Sequence, residues 1–323
     1  ASYEESALGG NVAENAGGLH CKKYGVTKDY VIGLRAVTVK GEIIKTGYYS
    51  KSDIFDLTSV LIGSEGLLAA VTEIAVRLIN IPETGPTILA AFSKPEEAAA
   101  VVSNIIRDGI IPSVMEYMDG DAINCSIKYE KSIDINKAEA ILLLETDGKN
   151  CQNEAKRIEK ICRQYDPVSL ISENDPALSN NLWKIRRNLS KAVKASVKYK
   201  IAEDICVPPS KLPELVKFVA ELNSEFPIRV NSYGHAGDGN LHVNFLTNDK
   251  KYLKNKLINN GIKRLFQKTL ELGGTLTGEH GIGLTKKKYL KMEFCEKTIN
   301  RMKDIKNVFD PNNLLNPGKM FKK

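Results

Sequence analysis

The run TILAAFSKPEEAAAVVSNIIR, residues 87–107, carries the reading of the fold. Its first six residues, Thr87 followed by five apolar ones, predict a short buried strand. Pro95 then suits the first turn of a helix, and Glu96 and Glu97 fall near the positive end of its dipole. The same alternation returns downstream. Residues 140–145 (AILLLE) read as a buried strand, and 153–164 as a helix with Ala155, Ile158 and Ile161/Cys162 on one face. Further helices are expected over 182–197, 213–222 and 252–272, the last two each ahead of a strand. Strands alternating with amphipathic helices predict an α/β or α+β domain.

The residues before this region are rich in Gly, Asn and Thr. They read as loops with short strands at 30–34, 36–39, 42–46 and 70–78, and IPETGP (81–86) reads as a linker. A last helix, 296–308, is expected to stop before Asp310-Pro311, and LLNPG (314–318) reads as a turn-rich closure.

A chain of 323 residues accommodates about two domains. With 42% hydrophobic and 26% charged residues it has the composition of a globular protein with a sizeable core, which excludes disorder, collagen and coiled coil. No apolar stretch approaches the ~20 residues of a membrane-spanning helix. The residues ahead of Gly9-Gly10 do not read as a charged-then-apolar signal segment. The net charge of +7 comes partly from lysines at 250–251, 286–288, 319, 322 and 323. These read first as solvated helix faces, and they also suit an acidic partner or membrane surface. Aromatics are not interleaved with the basic residues, so nucleic acid is not an expected partner. The six cysteines form no CxxC pair, which fits reduced cytoplasmic thiols and argues against an iron–sulfur cluster in this chain.

Three of the four histidines, His235, His242 and His280, lie in two short motifs, GHAGDGNLHVN (234–244) and GEHGIG (278–283). Glycines let the backbone turn tightly, so His235 and His242 can converge across a loop. With Glu279 they make two imidazoles and a carboxylate, the donor set of a catalytic divalent metal with open positions. His280 is expected to point away from Glu279 on extended backbone, free to act as a base. The plainer alternative is a pair of core histidines in glycine-rich turns. In WKIRRNLS (183–190), Arg186 and Ser190 stand four apart on an expected single helix, a guanidinium and a hydroxyl suited to a carboxylate. Ordinary solvated arginines are the alternative. GGNVAENAGG (9–18) and GSEG (63–66) have small residues that admit a phosphate or a flat ring, without the spacing of a Rossmann fingerprint.

Together these segments, with DLTSVLIGSEG (56–66), VTE (71–73) and the tail FDPNNLLNPGKMF (309–321), resemble the FAD-linked oxidases typified by glycolate oxidase, D-lactate dehydrogenase and D-2-hydroxyglutarate dehydrogenase. The resemblance implies an α+β protein: the C-terminal part of a vanillyl-alcohol-oxidase-type FAD-binding domain (1–85), a cap domain with a large antiparallel sheet (86–295), and a return to the flavin domain (296–323). It implies FAD contacts at Gly9, Gly10, Asn11, Asn15, Gly17, Gly63, Ser64 and Gly66. It makes His235, His242 and Glu279 ligands of zinc, manganese or iron, and His280 the catalytic base. Arg186, Ser190 and Asn244 become substrate contacts.

The implied reaction is oxidation of a D-2-hydroxy acid, D-lactate or glycolate by preference. Electrons pass to an external acceptor such as an electron-transfer flavoprotein, a quinone or an iron–sulfur subunit. A cytoplasmic protein with peripheral membrane contact, and a homodimer, are compatible with it. Three departures stand out. Nothing corresponds to the earlier glycine-rich loop that holds the FAD pyrophosphate in this family, so a piece of a longer flavoprotein is expected. Leu67-Leu68-Ala69 replaces a Thr-Leu-Gly run. The lysine of the hydroxyglutarate enzymes has only the off-register Lys198 and Lys200. A non-catalytic binding or electron-transfer subunit that has lost FAD is the alternative, and a metal-dependent hydrolase a more distant one.

Overall fold

The computed structural model describes residues 6–50, 55–130, 138–254 and 256–321, so Lys322 and Lys323 lie outside the described residues. Two compact units emerge: a larger one of Leu19–Tyr24 and Ile81–Gly278, and a smaller one formed by the remaining described segments.

In the smaller unit, β1 (Val31–Val37), β2 (Ile43–Lys45) and β3 (Ala70–Val76) form an antiparallel sheet in the order β2-β1-β3. The two strands expected at 30–34 and 36–39 are one, because Arg35 continues the ladder opposite Lys45 and Glu73. Its core joins Val12, Leu34, Ala36 and Leu61 to Leu67, Leu68 and Ala69, so the departure at 67–69 serves packing. Residues 8–14, expected as loop, are helical (Leu8–Glu14) and end at Asn15 with φ +50°. Helix Glu296–Phe309 closes the unit. Its buried Lys306 donates to the Leu67 and Leu315 carbonyls at 3.0 and 2.9 Å and pairs with Asp310. Asp310, fully buried, in turn accepts the Leu314 and Leu315 amides at 2.9 and 2.7 Å.

The larger unit is a seven-stranded sheet: β4 (Thr84–Phe92), β5 (Val114–Asp119), β6 (Ala140–Asp147), β7 (Ser169–Glu173), β8 (Tyr199–Cys206), β9 (Arg229–His235) and β10 (Asn240–Thr247). The order is β7-β4-β6-β5-β9-β10-β8, with every pair antiparallel. Strand residues alternate between faces. One face carries Leu89, Ala91, Val114, Met118, Ile141 and Leu143 against Ile123, Trp183, Ile185, Leu189 and Val193 of the helices beside it. On the other, Ile88, Ala90, Phe92, Leu142 and Leu144 are fully buried. Each of the larger of these side chains contributes about 1.5–3 kcal/mol.

Four expectations change. Residues 81–86 are not all linker, since β4 begins at Thr84 and a Cβ on Gly85 would lie 2.4 Å from the Thr146 carbonyl oxygen. The helix expected over 182–197 is two, Pro176–Arg187 and Leu189–Ala195, meeting at Asn188. Asp175-Pro176 was the start signal: Asp175 accepts the Ala177 and Leu178 amides, with Pro176 in the first turn. The helix over 252–272 is also two, Lys251–Lys254 and Leu257–Glu271, and a single bridge from Thr275 to Cys206 follows it rather than a strand. Lys286 is 3% exposed in a run of turns, not on a solvated helix face. Among the described residues no helix is long and apolar enough to cross a membrane.

Removing one partner of a buried ion pair strands the other charge. Lys306→Met is therefore expected to lower the stability of the chain by about 3–5 kcal/mol, read from urea unfolding.

Candidate active site

The apolar sheet face turns polar toward β9, β10 and β8. Directly paired residues of antiparallel strands share a face. The register sets Glu116 opposite His235, Tyr233 and Asp204 opposite His242, and Asn231 opposite Asn244. Seven polar or aromatic side chains are thereby presented together by β5, β9, β10 and β8.

His235 and His242 are joined by the turn Ala236–Asp238 and Gly239. Gly239 has φ +76°, and a Cβ there would lie 1.8 Å from the Val207 carbonyl oxygen, so this hairpin requires glycine. The turn brings the two imidazoles to a centroid separation of 5.7 Å. His235 Nδ1 lies 2.5 Å from Glu116 Oε1. An ionised carboxylate only accepts, so Nδ1 carries a proton and Nε2 is the nitrogen turned away from Glu116. Glu116 is fully buried, and Arg186 Nε donates to its other oxygen at 2.5 Å. Burial raises its carboxyl, but Arg186 and His235 together outweigh burial and hold it below the ordinary glutamate value.

Arg186 and Ser190 lie on successive helices rather than one face, yet they share a neighbour. The Arg186 guanidinium sits 5.5 Å from the Tyr233 ring. Lys200 donates to Ser190 Oγ at 3.3 Å and to Tyr233 Oη at 3.0 Å. Asn244 is fully buried and donates from Nδ2 to Asn231 Oδ1 at 2.9 Å. Asn231 donates to Asp121 at 2.8 Å, and Arg229 forks onto the same carboxylate. Because Asp121 can only accept, this chain turns both amides one way and aims Asn244 Oδ1 away from it. That oxygen is buried with no hydrogen-bond partner among the described residues. Such an orphan costs about 1–3 kcal/mol unless a ligand donates to it.

Asp204, fully buried, accepts from Asn240 Nδ2 (2.5 Å), Thr277 Oγ1 (2.9 Å) and the Gly278 amide (2.9 Å). It fixes the backbone one residue before Glu279. In the smaller unit, Glu65 accepts the Ile282 and Gly283 amides at 2.7 and 2.8 Å and so anchors the loop after His280. His280 Nε2 and Glu279 Oε1 are 3.7 Å apart, so these neighbours do not point away from each other: the segment bends. The two glycine-rich motifs of this unit are brought together by bonds from the Gly63 amide to Val12 O (2.9 Å) and the Glu65 amide to Ala13 O (2.8 Å). Gly9 and Gly10 have open space where a side chain would stand, Asn15 Oδ1 accepts the Lys28 amide, and Gly66 is held by Asn316. Gly9, Gly10 and Asn11 lie in the helix, while Ser64 follows Gly63 in the second motif and Gly17 follows the helix cap.

Glu116, Lys200, Tyr233, Asp204, Asn231 and Asp121 carry no local motif, and sequence reading assigned none of them a role. Lys200 alone had a signal, shared with Lys198, as an off-register counterpart of the lysine of the hydroxyglutarate enzymes.

Residues 81–320 match the FAD-linked oxidase C-terminal domain, and residues 1–47 match an FAD-binding domain. The chain belongs to the FAD-linked oxidases. It is 40% identical to glycolate oxidase subunit GlcD of Bacillus subtilis over 326 residues, covering all of this chain and 69% of that protein. It is 33% identical to D-lactate dehydrogenase of Anaerostipes hadrus, covering 98% of this chain and 69% of that one. In fold, this FAD-linked oxidase resembles 4-ethylphenol oxidase from Gulosibacter chungangensis, with a TM-score of 0.68 at 13% identity over 98% of this chain and 70% of that one. An alkyldihydroxyacetonephosphate synthase gives 0.66 at 19% identity, over 98% and 58%. The architecture is the vanillyl-alcohol-oxidase type with its large antiparallel sheet.

Asp119 closes β5 and supports this region by accepting the Ala122 amide at 2.9 Å and both donors of Ser232. Burial pushes its carboxyl up to about 7. The folded oxidase then keeps a proton that the unfolded chain releases near the ordinary aspartate value. Its contribution to stability is full below about pH 4 and declines as pH rises to about 7, by at most about 4 kcal/mol. Asp119→Asn is expected to flatten that decline in urea midpoints taken across this range; an unchanged slope removes Asp119 as its cause.

Proposed function

We propose that this FAD-linked oxidase converts a D-2-hydroxy acid to the 2-oxo acid, with D-lactate or glycolate as substrate and electrons passing to an external acceptor. The carrying observation is the polar sheet face, where the His235–His242 pair stands beside Arg186, Ser190, Lys200 and the orphaned Asn244 oxygen. The names of the relatives, a glycolate oxidase subunit and a D-lactate dehydrogenase, support it.

We assign His235, His242 and Glu279 as ligands of a divalent metal, zinc, manganese or iron. The donor set fits: two imidazoles on one face, one of them with its Nδ1 proton held by a buried carboxylate, and a glutamate one residue beyond the anchored Gly278. When bound, such a metal supplies Lewis-acid polarisation of the substrate hydroxyl, and FAD supplies the hydride acceptor. The FAD contacts are assigned to Gly9, Gly10, Asn11, Asn15, Gly17, Gly63, Ser64 and Gly66, where the open glycines leave room for a flat ring.

The protein's own groups then divide the work. Arg186 and Lys200 hold the substrate carboxylate, and Ser190 adds a hydroxyl. Arg186 is already neutralised by Glu116, whereas Lys200 forms no ion pair with a carboxylate among the described residues, so Lys200 supplies the net positive charge. Asn244 Oδ1 accepts a hydrogen bond from a substrate donor. His280 Nε2 takes the proton of the 2-hydroxyl. The second cation beside Arg186 favours one further reading, a dicarboxylic substrate such as D-2-hydroxyglutarate.

The test mixes the flavoprotein, purified from its native source, with D-lactate, glycolate or D-2-hydroxyglutarate under anaerobic conditions and follows bleaching of the oxidised flavin. Reduction by one of the first two supports the assignment, and preference for the third selects the second reading. No reduction by any 2-hydroxy acid would overturn it. His280→Ala is expected to keep its metal and lose roughly 10²–10⁴-fold in turnover. His235→Ala and His242→Ala are expected to lose the metal, as measured by elemental analysis.

A further inference from the structure

We propose that Glu116 is a positioning residue that makes metal affinity at His235 depend on Arg186, so that the metal and the substrate-carboxylate clamp are energetically coupled. The proposal rests on the functional reading above, in which His235 is a metal ligand and Arg186 grips the carboxylate.

Its basis is the bridging geometry. Glu116 is 0% exposed, and its two oxygens are divided between the two groups, Oε2 to Arg186 and Oε1 to His235, each at 2.5 Å. A buried carboxylate relies on every donor around it, because no water replaces a lost one. Disturbing the guanidinium therefore moves the anion that holds the His235 proton, and with it the direction and basicity of Nε2. A second route runs in parallel. The Arg186 guanidinium lies 5.5 Å from the Tyr233 ring, and Tyr233 pairs in register with His242 and lies 5.8 Å from its ring. Both imidazoles are thus connected to the clamp, one through an ionised bridge and one through an aromatic ring. In an ordinary structural ion pair Glu116 would need only Arg186, and its second oxygen would have no reason to meet a histidine.

The experiment titrates the metal-free chain with Zn²⁺ alone against a chromophoric chelator, in wild type, Arg186→Lys, Glu116→Gln and the double variant. Arg186→Lys keeps the charge and every proposed metal ligand, yet it is expected to weaken Zn²⁺ binding roughly 5-fold or more. Glu116→Gln is expected to weaken it roughly 10–100-fold, because an amide cannot accept from two donors on opposite sides. In the Glu116→Gln background the Arg186→Lys change should add nothing. Additive losses, or an Arg186→Lys affinity equal to wild type, overturn the proposal. Should Glu116→Gln fail to fold, the comparison of Arg186→Lys with wild type decides by itself. Zn²⁺ bound by wild type, lost in His235→Ala and unchanged in Arg186→Lys rejects the coupling while the metal reading stands. No Zn²⁺ binding by wild type rejects both.

Discussion

A carboxylate sealed from water must be met by donors on both oxygens, and Glu116 is the place where this requirement organises the oxidase. It lies at the border where the sheet face changes from the apolar residues of β4 and β6 to the polar residues of β9, β10 and β8. Arg186 can be buried only because Glu116 neutralises it, and the same anion holds the Nδ1 proton of His235. The break between helices at Asn188 leaves Arg186 in the last turn of one helix and Ser190 in the first of the next, both close to Tyr233 or its neighbour Lys200.

Two other carboxylates act on backbone. Asp204 grips Thr277 and Gly278 in the larger unit, and Glu65 grips Ile282 and Gly283 in the smaller one. Between these anchors stand Glu279 and His280. Each anchor restrains the backbone of its own glycine-rich segment, which lowers the conformational entropy that segment retains. Asp121 does similar work through hydrogen-bond polarity, since its inability to donate orients Asn231 and then Asn244.

The pattern at 87–107 read directly into strand and helix because burial on one face imposes its own period on the residues. The helix boundaries at 182–197 were less legible: the capping signal Asp175-Pro176 lay outside the apolar run, and Asn188 interrupts it with a side chain that favours local backbone bonds. Gly9-Gly10 suggested loop by composition, while the structure makes it helix, with tertiary bonds from Gly63 and Glu65 holding the end of that helix. The histidine motifs could be recognised because glycine and histidine were adjacent in the chain. Glu116 could not, standing 119 residues from His235 and 70 from Arg186 in a strand that otherwise reads as ordinary core.

By itself, the sequence determined the family, the alternation of elements and the residue types able to hold a metal, a flavin and a carboxylate. These depend on local pattern and chemical identity, which survive without coordinates. Only the tertiary structure decided that His235 Nδ1 faces the Glu116 carboxylate, which way the Asn244 amide faces, and that Lys200 joins Ser190 at Tyr233. Those properties arise from strand register and from the need to satisfy buried polar groups, and both are settled between residues far apart in the chain.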